Sequence, residues 1–137
     1  MKRVKRGYFD HPFGQLHYRS INLDRDLPLL IMFHQSPLSS RNYQAVLPFL
    51  GDNFRVVAID TPGFGQSDLP AETWEVDDYG RLAGYVADSL NSPKFYLFGR
   101  ATGAVFAFAA SLLFSERVDK LVLHGMPVYT PEERENR

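Results

Sequence analysis

Four short apolar runs punctuate the chain: LLIMF (29–33), VVAI (56–59), FYLF (95–98) and LVL (121–123). Each is too short for a helix. None alternates with polar residues as a half-exposed strand does, so each reads as a strand buried on both faces of a parallel sheet. Helical patterns lie between the runs. In SSRNYQAVLPFL, Tyr43, Val46, Leu47 and Leu50 fall at i, i+3, i+4 and i+7, and Gly51 supplies a stop. In DDYGRLAGYVADSL, Tyr79, Leu82, Ala83, Val86 and Leu90 form the same stripe, with Asp77 as N-cap. A third helix, from about Thr102 to Ser115, is apolar nearly all round, which predicts burial. Its Gly103, Ala107 and Ala110 offer a small-residue face for close approach to a sheet.

Ahead of the first run, YFDHPFGQLHYRSI reads as two antiparallel strands, 7–10 and 15–21, turning at Pro12-Phe13-Gly14. Near the end, TPEER carries a helix start: Thr130 as N-cap, Pro131 at N1, and Glu133 at the capping-box position. The order ββ followed by βαβαβαβ predicts an α/β fold. It should be a mostly parallel sheet of about six strands with flanking helices and right-handed crossovers. The 137 residues suffice for one domain, 1–137, and are too few for two. The helix begun at Thr130 is cut short by the end of the sequence, as in a truncated chain.

Composition narrows the function classes. Hydrophobic residues make up 45% and charged residues 23%, the balance of a globular protein in water. A net charge of −1 gives no reason to expect nucleic acid or an anionic membrane as partner. The basic start MKRVKR reads as a solvated terminus, and GYFDHPFG follows where a signal peptide would have its apolar core. The longest apolar stretch, Ala104 to Leu113, falls far short of the roughly 20 residues that span a bilayer. The absence of cysteine excludes disulfides, thiolate catalysis and cysteine-bound metals, and the expected compartment is the cytoplasm. His11, His17, His34 and His124 show no metal-ligand spacing, and no cofactor is expected.

Candidate chemistry concentrates in FGRATGA (98–104), between the third apolar run and the third helix. A strand, Gly-x-x-x-Gly and a helix form the setting in which a strained turn presents a nucleophile at its centre. Gly99 and Gly103 flank the turn, Arg100 and Thr102 adjoin its centre, and the centre itself is Ala101, which has no nucleophilic atom. Such a turn predicts a positive φ at Ala101.

Three segments resemble the α/β-hydrolase fold family, in particular the N-terminal half of its epoxide hydrolase and haloalkane dehalogenase members. HQSP (34–37) resembles the His-Gly-x-Pro stretch after the third strand. DTPGFGQSDLP (60–70) resembles the glycine loop after the fourth, and GRATGA (99–104) resembles the nucleophile elbow. The resemblance implies a nucleophile at position 101, Ser for esters and Asp for halides and epoxides; alanine can be neither. It implies an oxyanion hole from the peptide N–H groups of Ser36 and Thr102, framed by His34 and by Gln35, which stands where the family has Gly. It places the catalytic acid after a later strand or just after the sixth, where HGMPVYT shows no Asp or Glu, and the catalytic His after the eighth strand, which this sequence does not include.

Several readings stay open at this level. One is a hydrolase by descent, inactive as this chain. A second is a non-catalytic pseudo-hydrolase that binds a small molecule or a partner. A third is base-only chemistry of the cofactor-free dioxygenase kind. A fourth is a fragment with no function of its own. TGA after Ala101 also resembles a branch whose elbow reads Gly-x-His-Thr-Gly, so the alanine fits natural divergence as well as an engineered replacement. His34 reads as a structural histidine at a strand end, Asp60 as a strand-end acceptor, and Ser67 and Asp68 as turn residues holding the glycine loop. The last strand, 120–125, is expected to be an open edge prone to self-association.

Overall fold

The computed structural model describes residues 3–135; the Met1 and Lys2 of the basic start, and Asn136 and Arg137, lie outside the described residues. Six strands form one sheet: β1 (Lys5–His11), β2 (Gly14–Ile21), β3 (Leu29–Phe33), β4 (Arg55–Ile59), β5 (Phe95–Arg100) and β6 (Val118–His124). Their spatial order is β1-β2-β4-β3-β5-β6. β1 and β2 form an antiparallel hairpin, β2 pairs antiparallel with β4, and β4, β3, β5 and β6 run parallel. This is the mostly parallel six-stranded sheet that the apolar runs predict. β3 is buried along its whole length, as a central strand of such a sheet must be.

The helices cover the two faces unequally. α2 (Val76–Ser89) and α3 (Thr102–Leu113) pack against one face, over a core that includes Phe33, Phe95, Leu97, Ile31 and Leu82. Each such side chain removed from water contributes roughly 1.5–3 kcal/mol. The other face carries a smaller core of Leu30, Met32, Tyr43, Leu47, Val56 and Ala58, with Tyr96 and Phe98 only partly covered beside it. An apolar groove of about 580 Å³ remains open there, between Val46, Leu50 and Phe54 on one side and Val122 on the other.

Four expectations need correction. The stripe over 43–50 does not form one helix: a 3-10 turn spans Ser40–Tyr43 and a single turn of helix, α1, spans Leu47–Leu50. Pro48 in the first turn of α1 has no N–H to continue a helix from upstream, so the stripe is split, although Tyr43 and Leu47 still reach the core. The N-cap of α2 is Glu75 and not Asp77, because Asp78 Oδ2 accepts the Glu75 N–H at 2.8 Å and closes the first turn two residues earlier. α3 is not buried all round: Phe108, Leu112 and Leu113 are exposed, since only the sheet and α2 cover it. Nor are all the apolar runs buried on both faces, because β6 is the outer strand and leaves Val122 exposed. The start of α4 (Pro131–Glu135) has the reciprocal cap that its sequence predicts: Glu133 accepts the Thr130 N–H at 2.8 Å and Thr130 Oγ1 accepts the Glu133 N–H at 3.1 Å.

Candidate functional site

Parallel strands end together, so the loops after β3, β4, β5 and β6 share one end of the sheet, where open α/β sheets hold their sites. Ala101 follows β5 directly and precedes α3, with φ 52° and ψ −118°. That is the positive φ its glycine frame predicts, and it is strained for a residue with a Cβ. Backbone hydrogen bonds hold the turn on both sides: the Ala101 N–H donates to the His124 carbonyl at 2.9 Å and the Ala104 N–H donates to the Ala101 carbonyl at 2.9 Å.

The flanking glycines are required by contact. A Cβ on Gly99 would run into the Gly103 carbonyl, so end of strand and start of helix touch backbone to backbone. A Cβ on Gly103 would meet the Phe33 and His34 carbonyls at the end of β3. The residues HQSP (34–37) and RATG (100–103) are therefore neighbours, as their sequence positions on adjacent parallel strands require. Arg100 is exposed; Ala101, Thr102, Gln35 and Ser36 are half-buried, and the Ser36–Pro37 peptide is cis.

His34 is fully buried, and both ring nitrogens are engaged. Nε2 accepts the Thr61 N–H at 2.9 Å, so the proton lies on Nδ1, which donates to the Gln35 carbonyl at 2.9 Å. Burial pushes its pKa down, against smaller upward contributions from the Gln35 bond and the Asp60 charge. A neutral ring with both nitrogens occupied is a structural histidine and not a free base. Tyr43 on the opposite face is also fixed: burial raises its hydroxyl to about 12, a nearby Arg100 charge opposes this, and the hydroxyl donates to the Phe33 carbonyl at 3.0 Å.

A second polar centre lies at the end of β4. Asp60 is fully buried, and its Oδ2 accepts from His17 Nδ1 at 2.8 Å and from the Gln66 N–H at 2.8 Å. Oδ1 accepts the Ser40 N–H at 2.8 Å and lies 4.0 Å from the Arg19 guanidinium. Burial alone would raise its pKa; the hydrogen bonds from Gln66, Ser40 and His17 outweigh it and hold the carboxyl below its ordinary range. Ser67 Oγ donates to the Asp60 carbonyl at 2.7 Å and accepts the His17 N–H at 2.9 Å, and Asp68 Oδ2 accepts the Gln15 N–H at 2.7 Å. The glycine loop is strapped to β2 at each point. Asp60, Ser67 and Asp68 are thus the acceptor and turn residues their positions suggest. His17 and Arg19 are not legible as their partners, because the pairing of β2 with β4 spans about 40 residues and leaves no local trace. Among the described residues no group of three or more His, Asp or Glu is placed to hold a metal ion. No helix among them is long and apolar enough to cross a membrane.

Comparison with known families gives one decisive match: the model of the alpha/beta hydrolase fold fits residues 28–136. The chain belongs to the α/β-hydrolase fold family. Its curated relatives include haloalkane dehalogenase 2 of Mycobacterium tuberculosis, 29% identical over 117 residues, which cover 85% of this chain and 40% of the relative. Epoxide hydrolase 4 of Mus musculus is 29% identical over 115 residues, covering 82% of this chain and 32% of the relative. A crystal structure of a hydrolase from Pseudomonas aeruginosa superposes with a TM-score of 0.83 at 22% identity, over 96% of this chain and 50% of that one. This member of the family therefore spans well under half the length of these curated relatives, and the sheet described above is a partial α/β-hydrolase fold.

Proposed function

We propose that this chain is a hydrolase by descent, of the ester, epoxide or haloalkane type, with its nucleophile position occupied by Ala101 and without covalent hydrolytic activity of its own. The observation that carries this reading is the backbone of Ala101: φ 52° between two glycines that contact supports as obligatory. The backbone of an elbow is kept where the reactive atom is gone. A methyl group cannot attack an acyl carbon, an epoxide or a haloalkane. In this reading the peptide N–H groups of Ser36 and Thr102 face one point above Ala101, with His34, Gln35, Gly99, Arg100 and Gly103 as the frame. The test is turnover of an activated ester, an epoxide and a haloalkane by the purified chain, together with its intact mass after exposure to each. The expected result is the buffer rate and an unchanged mass. Turnover above the buffer rate, or an adduct within residues 99–103, would overturn the reading.

The same observation supports a second reading, a pseudo-hydrolase that binds a small molecule or a partner without transforming it. Two N–H donors and no nucleophile suit an anion or a carbonyl that is held and released. We place the chain in the cytoplasm, on the strength of its lack of cysteine. We also propose that β6, the outer strand, whose far edge meets no other strand among the described residues and which carries exposed Val122 and only Lys120 and Asp119 as charges, pairs with a second copy. Sedimentation at micromolar concentration should then show association that disappears on Val122→Lys; a dispersed monomer with a sharp melt would contradict it.

A further inference from the structure

The loops 34–40 and 60–68 leave the ends of the neighbouring strands β3 and β4, and one buried carboxylate touches both. Asp60 holds the first loop through the Ser40 N–H on Oδ1 and the second through the Gln66 N–H on Oδ2, each at 2.8 Å. Ser40 is gripped twice, since its Oγ also accepts from Arg19 at 2.9 Å. The second loop wraps so closely that a Cβ on Gly65, which has φ 53°, would collide with the Asp60 carboxylate. A second tie runs in parallel, from the Thr61 N–H to His34 Nε2 at 2.9 Å.

We propose that Asp60 is a positioning residue that makes residues 34–40 and 60–68 one mechanical unit, and so fixes the Ser36 peptide relative to Ala101. The last clause rests on the role given to Ser36 above; the coupling of the two loops does not. A carboxylate suits this task because its two oxygens accept from different directions at once, and a buried charged acceptor is costly to leave unmet. The charged and titratable groups around it are His17 and Arg19 from β2 and the neutral His34 after β3. The two β2 groups favour the ionised carboxylate. Its pKa is held below the ordinary range, so the clamp persists through neutral pH and is released only as pH falls through that lowered value.

Amide hydrogen exchange, read by NMR on the whole chain, tests the coupling with Asp60→Asn, which keeps the shape but turns one acceptor into a donor. The reporters are the bonded amides of Leu38 and Ser40 in one loop and of Phe64 and Gln66 in the other. All four should exchange faster by a common factor of about tenfold or more. Leu82 in α2 and Ala107 in α3 should be unchanged. Acceleration in one loop alone would overturn the proposal, and so would an equal rise across the helices, which would assign Asp60 to global stability. Should the variant not fold, the parent answers on acidification. The Ser40 and Gln66 amide shifts should share one midpoint, below the ordinary carboxylate value of about 4; two separate midpoints would overturn it. Failure of the proposed function appears as turnover and leaves these exchange rates untouched.

Discussion

The ends of β4 and β5 lie at the same end of one sheet and have opposite characters. At β4, both oxygens of a buried carboxylate accept hydrogen bonds, three in all, and the positive φ angles of the loop around it fall on glycines, Gly63 and Gly65. At β5, the backbone is strained at a non-glycine residue and nothing chemical is presented. The contrast teaches that a turn's geometry and its reactive atom are specified separately. Gly99, Gly103 and the hydrogen bonds of Ala101 set the first, and a single side chain sets the second. On the function proposed above, loss of the side chain leaves the strain in place, at a cost of about 1–3 kcal/mol.

The largest effect is expected at β4. Asp60→Ala leaves His17, Arg19 and two peptide N–H groups without their shared acceptor, and should cost about 3–5 kcal/mol in urea unfolding. A loss below 1 kcal/mol would show that the centre is dispensable. At β5, Gly103→Ala drives a Cβ into the backbone carbonyls of Phe33 and His34, which no side-chain rotation can relieve. It should cost about 3 kcal/mol, again by urea midpoint, and a neutral result would refute the close approach of strand and helix.

A smaller effect separates the ends by pH. The lowered pKa of His34 means that the unfolded chain takes up its proton first as pH falls. The stability it contributes is complete above the ordinary histidine value of about 6.5 and is lost as pH falls from there toward the folded value. The slope from this one group is at most about 1.4 kcal/mol per pH unit. His11, also lowered by burial, adds in the same direction. The slope should flatten in His34→Gln; an unchanged slope would move the titration elsewhere. Smallest is Ala101→Gly. Glycine accepts φ 52° without strain but has more freedom to lose on folding, so the variant should gain about 1 kcal/mol and melt slightly higher. A lower melting temperature would mean that Ala101 is not strained.

Much of this architecture is legible in the sequence, because the signals that carry it are local. The apolar runs mark the four parallel strands, the glycine pair marks the turn, and Thr130 with Glu133 marks a cap that forms as written. What is not legible depends on contacts between distant segments. Pro48 breaks the stripe from Tyr43 to Leu50 because its missing N–H outweighs the periodicity. The exposure of Phe108 and Leu112 follows from which surfaces surround α3, and periodicity says nothing about neighbours. The same holds for His17: it is buried in β2 next to the equally buried Leu16, and only the pairing of β2 with β4 brings it to Asp60.

On the proposed function, position 101 keeps an elbow's backbone without its chemistry. The most direct measurement is the hydrolysis of an activated ester by purified Ala101→Ser beside the parent chain. A serine hydroxyl needs a base to attack. Among the described residues His34 has both ring nitrogens committed and His17 is bonded to Asp60 inside the core, while His124, whose carbonyl accepts the Ala101 N–H, is exposed and is the histidine that turnover would point to. The variant should fold like the parent and hydrolyse the ester no faster. Turnover well above the parent would contradict it, because a working base would then stand beside residue 101.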